Sequence, residues 1–248
     1  MSGLHRFSRT ELFIGAEALN KLRSSSVIIF GVGGVGSYAA ETLCRAGVGR
    51  ISIVDYDDVR LSGINRQLHA LEQTVGQPNC SVVAKRLRLI NPQALIIPHR
   101  EFYSPETAPF LLSEHHDYVL DAMDLMASKV HLIKTCRKRN MPIISGMGGA
   151  MKRDPTLIRV ADISRTTVCR TARSLHKLLR EEGIQSGVTV VYSTEEPAAI
   201  PAPDERNAHL NPDADERRSK APQGTISYIP ALIGLTMAGM VVNALMGE

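Results

Sequence analysis

Cysteine is scarce in this chain. Its four residues, Cys44, Cys80, Cys136 and Cys169, include no C-x-x-C pair among 248 positions. That spacing argues against both a thiol-paired zinc knuckle and a disulfide framework, so no structural zinc is expected. Apolar residues are few at the start as well: "MSGLHRFSRTEL" is too polar for a secretory signal, so none is expected, and a reducing cytoplasmic location is. Charge of one sign does not dominate, since 29 Lys and Arg face 25 Asp and Glu for a net +4. This mild excess is compatible with a nucleic-acid partner but does not require one. No internal repeat is visible. With 22% charged and 44% hydrophobic residues, the chain reads as an ordinary soluble one, long enough for one large domain or two small ones. Long uncharged apolar runs are rare, and the notable one is "ISYIPALIGLTMAGMVVNALM", residues 226–246. Its length suits a membrane span. However, Pro230, Gly234, Gly239 and Asn243 interrupt it and no basic cluster follows. A buried terminal helix is therefore expected, and membrane association is not.

The remaining chain alternates apolar runs with helical periodicity. Strands are expected at 27–31, 50–55, 94–98, over "DYVLDAMD", over "PIISGMGG", near 157–161 and over "GVTVVYS". Helices are expected at 8–23, 35–46, from "VGQP" to Asn91-Pro92, at 105–113, 127–139 and in "CRTARSLHKLLREEG". In the first helix Leu12, Phe13, Ala16, Leu19 and Leu22 should share one side. The alternation predicts an α/β, Rossmann-like, mostly parallel sheet with helices on both faces. A C-terminal extension carries a mobile loop at 195–222, rich in Pro, Ala and charge, and the apolar terminal helix. One domain over 1–248 is expected, with a nucleotide-binding half to about 150 and a substrate-side half beyond it.

The stretch "VIIFGVGGVGSYAAETL" runs from strand through glycine loop to helix, with Gly31, Gly33 and Gly36 in G-x-G-x-x-G spacing. Asp55 follows Gly36 by 19 residues, at the end of the second strand, where a ribose-binding acid belongs. The glycines alone do not separate a hydride-carrying dinucleotide from ATP, since either would use the same N–H groups and helix N-terminus. Arg66 in "NRQLH" comes a full loop after the second strand, which suits β- and γ-phosphates better than a 2′-phosphate. Asp121 and Asp124 end the fourth strand, and a carboxylate there suits Mg²⁺ on phosphate oxygens better than a nicotinamide. Singly, Arg66 could be a surface ion-pair partner, and either aspartate a helix cap.

In combination, "GVGGVG", "VDYDDV", "NRQ", "VGQP" and "DAMD" resemble the ubiquitin-activating-enzyme-like superfamily, the ThiF, MoeB and HesA group, which adenylates carboxylates. "HRFSRTELFIG", "NRQLHAL", "INP", "DPT" and "ADIS" are most similar to its tRNA threonylcarbamoyladenosine dehydratase branch. The resemblance implies that Gly31, Gly33, Gly34 and Gly36 cradle the α-phosphate side of ATP and that Asp55 holds the ribose. Arg66 and Gln67 would meet the triphosphate, Asp124 would position Mg²⁺, and Asp57, Asn65, Lys85 and Asp121 would complete the nucleotide environment. Arg9 would cross a homodimer into the neighbouring site. Two positions depart from the pattern: Asn79 stands where a phosphate-contacting lysine is usual, and Gly63 where an asparagine is. Lys85, six residues beyond Asn79, lies near the opposite helix face.

The implied activity is ATP-dependent adenylation of the carboxylate of threonylcarbamoyladenosine in tRNA, followed by cyclisation. Two alternatives are an adenylyltransferase for a ubiquitin-like sulfur carrier and a nucleotide-binding protein with impaired catalysis. Sulfur-relay proteins are a further implied partner. For tRNA, the basic candidates are Arg165, Arg170, Arg173, Lys177 and Arg180, with Arg217, Arg218 and Lys220 in the loop. Cys169 has no His–acid arrangement beside it in the sequence to support thioester chemistry.

Overall fold

Ser26–Phe30 (SVIIF) is β-branched, aromatic and buried at every position, so it takes the centre of a sheet as β1. In the computed structural model, which describes residues 4–198 and 224–247, the chain then builds outward from this strand in both directions. To one side lie β2 (Arg50–Val54) and β3 (Leu95–His99); to the other lie β4 (Tyr118–Asp121), β5 (Ile143–Gly146), β7 (Thr189–Ser193) and β6 (Ile158–Asp162). The order is β3-β2-β1-β4-β5-β7-β6, parallel throughout except that edge strand β6 runs antiparallel to β7. Register is set by pairs such as Ile29 with Ile53 and Ile29 with Leu120.

Helices cover both faces. On one, α2 (Gly36–Ala46), α3 (Asn79–Ile90) and α7 (Tyr228–Met246) enclose a core that includes Leu43, Leu87, Ile233 and Met237. On the other, α5 (Met126–Lys138) and α6 (Arg170–Glu181) pack around Leu132, Leu175 and Val190. The short α4 (Ala108–Leu111) is all that forms of the helix expected over 105–113. α7 is long and apolar enough to cross a membrane. Here it lies against α2, and a Cβ at Gly234 would sit 2.2 Å from the Val35 carbonyl oxygen, so glycine is what permits the approach.

α1 (Ser8–Ser24) corrects one expectation. Gly15 breaks it with φ +82°, ψ 162°. Leu19 and Leu22 are fully buried, but Leu12 and Phe13, ahead of the kink, are 87% and 90% exposed. The apolar positions therefore do not form one continuous buried side. The loop expected at 195–222 lies outside the described residues from 199 onward, with Arg217, Arg218 and Lys220 in it.

Candidate functional site

Because β2 and β4 leave β1 on opposite sides, the sheet opens a crevice at the carboxyl end of β1, the switch point where α/β folds bind ligands. The glycine loop fills that point. Gly31 has φ +84° and donates its N–H to the Val54 carbonyl at 2.8 Å. A Cβ on Gly31 would lie 2.7 Å from the Ala122 oxygen, and one on Gly36 only 1.8 Å from the Gly31 oxygen. Both positions thus require glycine, which brings the loop backbone and the α2 N-terminus to the crevice floor. A Cβ on Gly33 would meet only Gln67 Nε2, at 3.8 Å, whereas one on Gly34 would lie 3.2 Å from both Arg66 and Pro230, which cover it.

Asp55 follows β2 directly and is held by three donors: Val32 N–H at 2.8 Å, Asp57 N–H at 2.9 Å and Asn79 Nδ2 at 3.2 Å. Burial pushes its carboxyl above the ordinary range, while those N–H groups pull the other way. Since a carboxylate only accepts, the Asn79 amide nitrogen must face it. The Asn79 oxygen then accepts from His69 Nε2 at 2.9 Å. Burial lowers the His69 pKa, keeping the ring neutral. The departure from lysine at position 79 therefore has a structural role: it forms an Asp55–Asn79–His69 chain, with Asn79 and His69 each 2% exposed.

Among the described residues Arg66 is in no ion pair. Its guanidinium donates to Ser62 O at 2.8 Å and Asn65 Oδ1 at 3.0 Å, and no carboxylate lies within 4 Å among the described residues. Gln67 lies over the loop with its buried side-chain oxygen unbonded. Gly63 makes room for it, because a Cβ there would meet Gln67 Oε1 at 2.8 Å. Asn65 is spent on Thr225 O, 2.9 Å away, as well as on Arg66. Asp57 pairs with Arg60 at 3.6 Å.

Asp121 and Asp124 part company. Asp121 is fully buried, accepting from Lys129 Nζ, Ser145 Oγ and Met123 N–H, so it shapes the crevice wall and does not line its surface. Asp124 is exposed, and Leu125 occupies the cap position of α5, so the capping alternative does not hold. Lys85 is exposed on α3 and Asn79 is buried, which puts Lys85 away from the Asp55 network. Cys169 is 3% exposed, a poor position for a nucleophile.

On α6, Ala172, Leu175 and Leu179 are buried while Arg170, Arg173, Lys177 and Arg180 are exposed, as their spacing predicts. Arg9 is exposed in the first turn of α1. Two features escaped sequence reasoning: the His69–Asn79 link and the buried Lys129 behind Asp121. The "DAMD" motif signals an acid pair, but only the fold shows that one member points inward.

Residues 7–248 match the ThiF family. The chain is 46% identical to the tRNA threonylcarbamoyladenosine dehydratase of Bacillus subtilis, across 99% of this chain and 96% of that protein. The solved Escherichia coli tRNA N6-threonylcarbamoyladenosine dehydratase TcdA, in complex with ATP, superposes with a TM-score of 0.86 at 31% identity, covering 97% of this chain and 93% of that one. Similarity to the Escherichia coli molybdopterin-synthase adenylyltransferase, at 35% identity, reaches 60% of this chain and 59% of that protein. With a match that runs nearly end to end, the chain belongs to the ThiF family.

Proposed function

We propose that the protein is an ATP-dependent tRNA threonylcarbamoyladenosine dehydratase. The observation that carries this reading is the Arg66 guanidinium, without a carboxylate partner among the described residues, poised over Gly34 beside the glycine loop and the N-terminus of α2. It is supported by the near-complete match to dehydratases, one of them solved with ATP. The substrate's carboxylate oxygen bonds to the α-phosphorus of ATP, and the bond to pyrophosphate breaks. Ring closure by a nucleophile of the substrate itself then expels AMP. No enzyme nucleophile is needed, in keeping with the burial of Cys169.

In this reading Gly31, Gly33, Gly34 and Gly36 hold the α-phosphate side, Asp55 accepts from ribose hydroxyls, and Arg66 and Gln67 hold the outer phosphates. No group of three or more metal-ligating side chains occurs among the described residues. The one exposed acid on the β4–α5 loop, Asp124, fits a Mg²⁺ held mainly by phosphate oxygens. That ion would neutralise the charge developing on the leaving pyrophosphate. A homodimer fits the exposed Leu12 and Phe13 on the arm that carries Arg9, since a second copy would cover them and bring Arg9 to the neighbouring site. α6 offers phosphate contacts for tRNA.

The test is direct. Protein, Mg·ATP and tRNA bearing threonylcarbamoyladenosine are incubated, and the nucleosides are analysed by mass. A product one water lighter, formed with stoichiometric AMP, is expected. AMP formation that instead requires a Gly-Gly-ended carrier protein would establish the adenylyltransferase alternative.

A further inference from the structure

Two lysines are buried among the described residues, and they are held in opposite ways. Lys129, 2% exposed, directs its ammonium at Gly146 O (2.8 Å), Asp121 Oδ2 (2.9 Å) and Ser145 Oγ (3.2 Å), so each N–H has an acceptor. Lys152, 6% exposed, has among the described residues one acceptor, Ser193 O at 3.0 Å, and no carboxylate within 4 Å. The neighbouring acid, Glu195, is committed elsewhere: its Oε2 accepts the N–H groups of Arg153 and Asp154, both at 2.8 Å. Two N–H bonds of a buried cation therefore have no acceptor among the described residues. A buried ammonium in that state is costly unless an anion completes it.

Its position says which anion. Ser193 ends β7, and Lys152 lies on the segment that follows β5, so the ammonium sits at the same carboxyl edge of the sheet as the glycine loop. The segment is wired to that loop through α7: a Cβ on Gly149 would meet Ile229 and Pro230, and Pro230 lies over Gly34. Asp55, which holds the ribose in the reading above, lies on the β2 side of β1, and Lys152 lies on the other side, beyond β4 and β5. On the adenylation reading, a substrate that approaches the α-phosphate from the side away from the ribose comes in on the Lys152 side of β1. We infer that the Lys152 ammonium binds and orients the carboxylate of the acyl substrate, a specificity residue resting on the adenylation reading above. Carboxylate and triphosphate repel each other, and a fixed cation between them offsets that repulsion. The step needs no proton transfer: the carboxylate oxygen bonds to phosphorus and the pyrophosphate oxygen leaves.

The test compares wild type, Lys152→Met and Lys152→Arg on tRNA with and without the threonylcarbamoyl group, by filter binding and by ATP–pyrophosphate exchange. Wild type should prefer modified tRNA. Lys152→Met should lose about 10- to 100-fold in kcat/KM and most of that preference, with Mg·ATP affinity and binding of unmodified tRNA unchanged. Lys152→Arg should recover part of the preference. A Lys152→Met enzyme that keeps the wild-type preference overturns the assignment, as does one that loses ATP affinity in parallel. Wild type that shows no preference for modified tRNA overturns the functional reading itself.

Discussion

Lys129 Nζ lies 2.9 Å from Asp121 Oδ2 with both side chains shut away from solvent, and Ser145 Oγ, 2.6 Å from the same oxygen, closes the triangle. The pair ties α5 to the end of β4, where the chain turns toward Asp124. Lys129→Met removes the cation but leaves the carboxylate in place. Breaking one side of a buried pair costs about 3–5 kcal/mol. Denaturant melts should show a loss of that size, well beyond that for Lys85→Met on the exposed face of α3.

Asn79 links Asp55 to His69, so its loss should be felt at the nucleotide. Asn79→Ala leaves the His69 Nε2 donor without an acceptor in a buried place, at a cost of about 1–3 kcal/mol. It also frees one oxygen of Asp55 from a positioning bond. Expected are lower stability and a several-fold higher KM for ATP, measured at saturating tRNA. Arg66→Ala, in contrast, should abolish most ATP use with little change in melting, because among the described residues that side chain bonds only within its own loop.

Much of this was legible from local pattern. Five of the seven expected strands formed within a residue or two, because continuous β-branched runs such as SVIIF and RISIV have nowhere to go but a covered parallel sheet. Those expected in DYVLDAMD and PIISGMGG stop three residues early, at Asp121 and Gly146, which leaves Asp124 on a loop. The glycine loop and Asp55 were legible because their spacing is dictated by backbone approach. What stayed hidden was relational. Nothing in "DAMD" says that Asp121 meets a lysine eight residues on, because that depends on how α5 packs against β4. Gly15 carries no sign in the sequence that it will turn to positive φ and leave Leu12 and Phe13 uncovered. Asn79 read as a lost charge, and only its contacts show a gained bridge.

His116 titrates far from the ordinary range. Burial, followed by the nearby Arg50, His115 and His99, lowers its pKa to about 4, against an opposing pull from Asp117. The ring makes a 3.1 Å hydrogen bond with Ser26 Oγ. Between pH 6.5 and about 4 the unfolded chain binds this proton and the folded chain does not, so stability falls as pH falls through that window. The contribution lost is about 3 kcal/mol. Equilibrium unfolding of His116→Gln against wild type should give a flatter profile between pH 6.5 and 4.

Arg9 is expected to act across the dimer. Arg9→Ala and Asp124→Ala should each be inactive alone. Mixed and allowed to exchange subunits, they should regain activity, because each heterodimer holds one site with both residues intact. Mass-tagged chains verify the exchange. Exchange without recovery would assign Arg9 to its own subunit's site or to none.

The α6 face should set tRNA affinity. Arg170, Arg173, Lys177 and Arg180 follow at intervals of three, four and three, and all are exposed while the opposite side of the helix is buried. Their side chains anchor no core packing, so charge reversal should leave the fold intact. Each phosphate contact releases counterions, and log affinity falls with log salt by roughly one unit of slope per contact. Arg173→Glu with Lys177→Glu should therefore weaken tRNA binding at low salt and flatten that slope by up to about two units, with Mg·ATP affinity unchanged. The contrast with Lys152→Met separates two kinds of recognition. Charge reversal on α6 should reduce affinity for modified and unmodified tRNA alike, since phosphates carry no mark of the modification. Filter binding across a salt series on both tRNAs reads this out. An unchanged slope would remove α6 from the docking surface.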